Sequence, residues 1–195
     1  NANEGDTILV SSGIYFEQLR LNGNNITITS ESGAENTIID GSLLPQQDSL
    51  SLLYIFNGED QQTVIEGFTF RYGQGTYINQ YSQEQGGAIF CSESSFILKN
   101  SILVENSGYE GGAIYYGGSE SIIENCEFRS NIAGYGGGAI YSDFSNISII
   151  NSLFIENTAD RFGGCYMGEF SELYCVKTIM YKGSANNGGA IYSDH

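Results

Sequence analysis

The chain has 195 residues and a formal net charge of −16, with seven basic side chains against 23 acidic ones. That balance excludes nucleic acid and anionic membrane surfaces as partners, because both are gripped through clustered Lys and Arg. No run of 18 apolar residues occurs, so no helical membrane span is expected.

The first third reads as short β-branched or aromatic segments: Asp6–Val10, Phe16–Leu21, Asn25–Thr29, Thr37–Asp40, Leu50–Phe56, Thr63–Glu66 and Phe68–Phe70. Their lengths are those of strands, and Gly or Asn marks most of the joins. Residues 1–72 form irregular opening coils in this reading. The polar, Gly-containing stretch 73–85 reads as a loop pushed out of one coil.

From residue 86 onward a phrase returns at steps of 25 or 26 residues: Gly86-Gly-Ala-Ile-Phe90, Gly111-Gly-Ala-Ile-Tyr115, Gly137-Gly-Ala-Ile-Tyr141, Gly163-Gly-Cys-Tyr-Met167 and Gly188-Gly-Ala-Ile-Tyr192. A second phrase keeps step with it, an apolar residue followed three positions later by Asn, at Leu103–Asn106, Phe128–Asn131 and Phe154–Asn157. A short fixed period of this kind marks a solenoid, in which each repeat buries its apolar face against its neighbours. Between the phrases lie further strand-length segments, Ser95–Lys99, Ser121–Glu124, Asn146–Ile150 and Glu172–Val176. Three short strands and three turns per repeat predict an all-β chain, a right-handed parallel β-helix of about 25-residue coils forming one domain over 1–195.

Stacked coils turn each phase of the repeat into a column. Asn106, Asn131 and Asn157 form one such column and Asn100, Asn125 and Asn151 another; their amides are expected to bond along the axis and satisfy turn backbone. Ile89, Ile114, Ile140 and Ile191, with Tyr166 in the fourth place, should point inward. The adjacent Phe90, Tyr115, Tyr141 and Tyr192 should then face out, where an exposed aromatic ladder could stack on sugar rings. Leu103, Phe128, Phe154 and Met180 are expected inside. That leaves Ile102 with Val104, Leu153 with Ile155 and Ile179 with Tyr181 outside, an apolar patch suited to contact with another chain or to cover by the 73–85 loop.

Cys91, Cys126, Cys165 and Cys175 fall at four different phases, so no disulfide along the axis is expected; only Cys165 and Cys175 share a coil. The remaining reading is buried thiols in small-residue sites. No zinc spacing is present, and His195 stands at the terminus. Calcium is the one ion that acidic turns would suit, but neither an Asp-rich repeat nor a calcium-loop spacing occurs, and no cofactor is expected. Asn25-Ile-Thr27 and Asn146-Ile-Ser148 are candidate glycosylation sites. There is no signal peptide or initiator Met, and Gly188–His195 stops within a coil; a fragment of a longer secreted or surface protein is expected.

Gly5–Tyr15, Ile26–Ser30 and Thr37–Gly41 resemble the opening coils of pectin-lyase-like β-helix proteins. The Gly-Gly-Ala-Ile and Phe-x-x-Asn phrases resemble the repeats of chlamydial polymorphic outer-membrane proteins and similar surface proteins of bacteria and protists. The resemblance implies the β-helix fold, which carries lyases, hydrolases, adhesins and spacers alike. It implies catalytic residues only where motifs match. No Asn-Thr-Asp, Asp-Asp, Gly-His-Gly or Arg-Ile-Lys phrase is present, so no catalytic residue is carried over. Glu105 and Glu156 share a phase two coils apart, about 9.6 Å of rise. That is near the separation of inverting-glycosidase carboxylates, but a solvated turn position explains the pair with less. The expectation is a non-catalytic extracellular structural or adhesive scaffold, with other chains or copies of itself as partners. The alternative is a polysaccharide lyase, hydrolase or carbohydrate-binding module.

Overall fold

The computed structural model describes residues 2–44, 51–78 and 83–194. Leu50 of the expected fifth strand, residues 79–82 of the expected loop and His195 lie outside the described residues. Three seven-stranded parallel sheets run the length of the molecule with their strands stacked in chain order, so that each turn of chain lies on the one before. The chain is a right-handed parallel β-helix. The first sheet opens with Thr7–Val10 and Thr27–Ser30 and ends with Asn146–Ile150 and Glu172–Val176. The second opens with Gly13–Tyr15 and Thr37–Asp40 and includes Ile102–Val104, Glu127–Arg129 and Leu153–Ile155. The third starts at Leu19–Arg20 and Leu53–Ile55, continues through Ile89–Ser92, Ile114–Gly117, Ile140–Asp143 and Tyr166–Glu169, and ends at Ile191–Asp194.

A fourth sheet corrects the three-strand coil expected from sequence. Ser107–Glu110, Ile132–Gly136 and Thr158–Ala159 form parallel strands between the second and third sheets. The 73–85 segment supplies its first members: Thr76–Ile78 pairs antiparallel with Gln83–Gln85, and Gln85 pairs with Glu110. Where the expectation was a loop, Thr76–Ile78 and Gln83–Gln85 are therefore strands that extend this sheet. Near the N-terminus, the strand expected at Phe16–Leu21 is confined to Leu19–Arg20, and a further strand, Gly13–Tyr15, precedes it.

Each corner of a regular coil carries a residue in the left-handed region. Asn100, Asn125, Asn151 and Lys177 turn the chain from first to second sheet. Glu105, Ser130, Glu156 and Lys182 turn it into the fourth, and Glu93, Gly118, Phe144 and Phe170 turn it from third back to first. The Gly-Gly pair makes the remaining corner. A Cβ on Gly137 would stand 2.1 Å from the Ile140 carbonyl oxygen, and one on Gly138 2.2 Å from the Gly164 oxygen of the next coil. No side chain fits where successive backbones approach this closely, and the repeat is fixed by that contact.

Inside, the aliphatic and aromatic columns form one continuous core. Ile89, Ile114 and Ile140 are fully buried, as are Leu103, Phe128 and Phe154, with the Phe128 and Phe154 rings stacked 4.5 Å apart. Tyr166 points inward as expected and its hydroxyl meets that of Ser142 at 2.5 Å. All four cysteines are free thiols. Burial pushes Cys91 and Cys126 up to about 12 and Cys165 up to about 11, which keeps them protonated and unreactive. Cys175 is exposed, against the expectation that each thiol fills a buried site. Among the described residues no helix is long and apolar enough to cross a membrane.

Candidate binding groove on the third sheet

The outward columns of the third sheet gather the chemistry. One column runs Tyr54, Phe90, Tyr115, Tyr141, Met167, Tyr192 through six consecutive coils. Its rings stack face to face, Phe90 on Tyr115 at 5.6 Å and Tyr115 on Tyr141 at 5.8 Å with interplanar angles of 5° and 10°. These three rings face outward and are coplanar, but they are not exposed: Phe90 and Tyr115 retain 8% of their surface and Tyr141 3%. The fourth sheet leans over them, and Tyr135 and Phe162 pack against the rings to form a second, smaller apolar cluster. Sugar stacking on Phe90, Tyr115 and Tyr141, which needs free ring faces, is thereby corrected, while Tyr192 is half-buried beside Met167 and Phe162. Each ring covers its neighbour, and the fourth sheet was not legible as a separate strand in the sequence.

Beyond the ladder, toward the first sheet, an open groove of about 570 Å³ remains. Phe90 and Tyr115 contribute to its floor, and Ser92 and Gly117 leave it room. Phe56 and Phe144 line it together with Glu93, Asp143 and Gln85. Phe56 stands in the column of Ser92, Gly117 and Asp143, so the two aromatic side chains are three coil steps apart. Phe144 is 66% exposed and Phe170 60%, and their rings stack at 4.8 Å with an interplanar angle of 10°.

Electrostatically the region is acidic. Burial raises the Glu110 carboxyl above its ordinary range, only partly offset by the 2.5 Å hydrogen bond from Gln85 Nε2, and the Glu169 and Asp143 charges push it further. Asp143 is raised by burial and by Glu169. The Tyr141 hydroxyl is raised strongly, chiefly by burial and then by Glu110 and Glu169; it donates a hydrogen bond to Glu169. Among the described residues no group of three or more His, Cys, Asp and Glu side chains is disposed to hold a metal ion.

The other residues singled out in the sequence lie elsewhere. Asn106, Asn131 and Asn157 are buried where the chain enters the fourth sheet. Each Nδ2 bonds a carbonyl one coil back, and Asn106 and Asn131 also donate to the next amide oxygen at 3.0 and 2.9 Å. Asn100, Asn125 and Asn151 are exposed at left-handed corners, with Asn151 donating to Asn125 at 2.7 Å and Asn125 to Asn100 at 3.3 Å. Ile102, Val104, Leu153 and Ile155 are half-buried on the outer face of the second sheet, where Ile179 and Tyr181 are exposed. Glu127 and Arg129 interrupt that face with an ion pair at 2.9 Å. Asn25 is half-buried, and its Oδ1 accepts from the Asp60 N–H and the Thr63 hydroxyl; Asn146 is exposed at the start of its strand. Glu156 pairs with Lys182 at 2.8 Å and Glu105 bonds Tyr72, so the two carboxylates serve surface contacts.

Sequence reasoning missed Phe56, Asp143, Phe144, Glu169 and Phe170. The available signal was the repeat phase itself, since Phe144 and Phe170 stand 26 residues apart immediately after the third-sheet strand.

Residues 125–143 and 151–194 match the Chlamydia polymorphic membrane protein repeat. The later coils thus carry the repeat that the Gly-Gly-Ala-Ile and Phe-x-x-Asn phrases resemble. Among solved structures, the chain is similar to the pectin methylesterase of Yersinia enterocolitica at 16% identity and a TM-score of 0.45, covering 86% of this chain and 66% of that one, just short of two thirds. It is similar to PemA, the pectin methylesterase of Erwinia chrysanthemi, at 10% identity and a TM-score of 0.41 over 97% of this chain and 82% of that one. For the pectin methylesterase of Aspergillus niger the values are 12% and 0.41, over 95% and 77%. No curated protein gives a match to this sequence.

Proposed function

We propose that the chain is a non-catalytic structural or adhesive segment of a surface or extracellular protein, a stiff rod that spaces and displays contacts with neighbouring chains. The observation that carries this reading is how the repeating polar side chains are used. The buried amides of Asn106, Asn131 and Asn157 bond to one another and to backbone, the corner amides of Asn100, Asn125 and Asn151 bond along the axis, and Glu124 and Glu156 are engaged by Lys99 and Lys182 of neighbouring coils. Side chains committed to holding coils together are not available as acids, bases or nucleophiles. The match of two stretches to a repeat of polymorphic membrane proteins agrees with a surface location. The reading requires no cofactor.

The outer face of the second sheet is the surface this role assigns to neighbouring chains or further copies, through Ile102, Val104, Leu153, Ile155, Ile179 and Tyr181. Apolar side chains left half-covered in adjacent coils are costly in water and gain by being covered. The test is light scattering over a concentration series. Growth beyond the 21.2 kDa monomer, abolished by Leu153→Glu with Ile155→Glu, is the expected result. A monomer at every concentration sinks self-association, and turnover of a polysaccharide by the chain sinks the non-catalytic reading.

A further inference from the structure

Carboxylates placed in register on neighbouring strands stand roughly 4.8 Å apart and repel. The chain avoids this arrangement in most of its columns. Glu66, Lys99 and Glu124 alternate in charge along the first sheet, and Glu120, Asn146 and Glu172 alternate charged with neutral. In the third sheet, by contrast, Asp143, Glu169 and Asp194 occupy one outward column in three consecutive coils. Among the described registers this is the one place where acid stacks on acid. It begins at the groove wall and continues past it.

The neighbouring corner column is also unlike its equivalents. Phe144 and Phe170 hold bulky rings in the left-handed region, with φ of 46° at each, where the same column elsewhere has Glu93 and Gly118. A bulky side chain is strained at a positive φ that glycine adopts freely. Both rings point into solvent, so neither contributes to the core. Backbone strain, exposed aromatic surface and stacked like charge therefore coincide at one edge of a single groove, and packing requires none of them.

We propose that this groove docks an extended, arginine-containing segment of a partner protein. A guanidinium is the group that satisfies both walls at once, since its plane stacks on aromatic faces while its fork of N–H donors pairs with carboxylates. The chain uses the same pairing itself: Arg71 pairs with Asp40 at 2.6 Å while its guanidinium lies 5.4 Å from the centre of the Tyr72 ring, and the Arg20 guanidinium lies 4.9 Å from the Tyr54 ring at the head of the ladder. No Lys or Arg is among the described residues lining the groove, so its acids have no local counter-charge. Phe56 and Phe144, three coil steps apart, are separated by about 14 Å along the axis, which an extended chain covers with about four residues at roughly 3.3 Å each. The carboxylates make the groove unfavourable for an acidic polysaccharide. The proposal stands apart from self-association, which uses the second sheet, so either can fail without the other.

The probe is an end-capped tetra-arginine peptide titrated into the whole chain by calorimetry at about 0.15 M salt. Saturable one-site binding is expected, and Phe144→Gly should weaken it by about tenfold, as should Asp143→Asn with Glu169→Gln. Glycine suits the corner, so Phe144→Gly should keep the fold, as circular dichroism would register. Glu120→Gln with Glu172→Gln removes the same charge from the first sheet and should change affinity by less than about twofold. Tetra-lysine, equal in charge but without the planar group, should bind more weakly. Three results would overturn the proposal: no saturable binding, equal losses in the groove and first-sheet variants, which would reduce the effect to diffuse attraction by the net charge, or a neutral oligosaccharide whose binding depends on Phe144 in place of the peptide.

Discussion

Asn131→Ala should be among the most damaging single substitutions in the chain, and the structure says by how much. Asn131 is fully buried at the middle of its ladder. Its Nδ2 donates to the Leu103 carbonyl at 2.9 Å and to Asn157 Oδ1 at 2.9 Å; its Oδ1 accepts from the Asn106 side chain at 3.0 Å and from the Asn106 backbone N–H at 3.1 Å. Truncation removes four hydrogen bonds and leaves the Asn106 N–H buried without that acceptor. At about 1 kcal/mol net for each bond, or about 1–3 kcal/mol for a buried group left unsatisfied, the loss comes to about 3–5 kcal/mol. Asn125→Ala is the control. It breaks two comparable side-chain bonds, but at an exposed corner where water replaces them, so its cost is about 1–2 kcal/mol, mostly from placing Ala at a φ of 54°. Urea unfolding followed by far-UV circular dichroism and tyrosine fluorescence suits a chain with 14 Tyr and no Trp. Equal losses for the two variants would refute the argument, because they would mean that burial of the amide ladder carries no weight.

Three other outcomes follow from particular environments. Tyr116 is fully buried and its hydroxyl, beside Ser121, lacks a hydrogen bond of full strength. Tyr116→Phe should therefore leave stability unchanged or raise it by up to about 1 kcal/mol, whereas Tyr166→Phe, which strands the buried Ser142 hydroxyl, should cost about 1–2 kcal/mol in the same urea assay. Gly137 and Gly118 have nearly equal φ values of 64° and 62°, but a Cβ meets the Ile140 oxygen at 2.1 Å in the first and nothing nearer than 4.0 Å in the second. Gly137→Ala should cost more than about 3 kcal/mol and Gly118→Ala about 1 kcal/mol, which calorimetric melting would separate. Glu110 and Asp143 have raised folded-state pKa values, so their contribution to stability is full below the ordinary carboxylate range and is lost as pH rises through the raised values. The melting temperature should accordingly fall as pH rises from about 4, the ordinary carboxylate value, toward neutrality, and Glu110→Gln with Asp143→Asn should shrink the fall. Asp40, although burial opposes it, is held low by Ser42 and Arg71; its effect has the opposite sign and acts only below about 3.8, outside that window.

The fold was legible because a solenoid writes its geometry repeatedly. Gly86-Gly87 and its later copies mark the corner where backbones touch, Ile89 and Phe90 with theirs mark the inner and outer faces, and Asn106 with its copies marks the buried ladder. What stayed hidden was set by contacts between columns, which a period cannot show. Phe90 and Tyr115 read as exposed because alternation places them outside, whereas stacking on their neighbours and the fourth sheet, built on Ser107–Glu110 and Ile132–Gly136, bury them. Those strands are rich in Gly and Tyr, with no run of β-branched residues, and so gave no strand signal. The strands Thr76–Ile78 and Gln83–Gln85 were likewise hidden by their polar composition, since the buried Thr76 and Gln85 at their base are polar. The groove was missed for a simpler reason: Phe144 and Phe170 are corner residues, and corners were read for punctuation only.

The columns also bear on how the chain finds its register. In a parallel stack every position is repeated at the strand spacing, so slipping by a whole coil preserves the apolar pattern and little in the core opposes it. Alternating charges do oppose it. With Glu66, Lys99 and Glu124 in consecutive coils, the native order places Lys99 beside Glu124 at 3.6 Å, and Lys182 bonds Glu156 at 2.8 Å at another corner. Skipping a coil would set Glu66 against Glu124, and omitting Asn146 would set Glu120 against Glu172. Each exposed pair is worth little by itself, but different columns guard different coils, so that slips at several places along the rod are each opposed. Asp143, Glu169 and Asp194 forgo this device where it would have been easiest to keep, on the sheet beside the groove. A column that repels itself in the free chain gains most when a cation arrives. Uneven charge alternation thus separates the columns that hold the rod together from the column available to a partner.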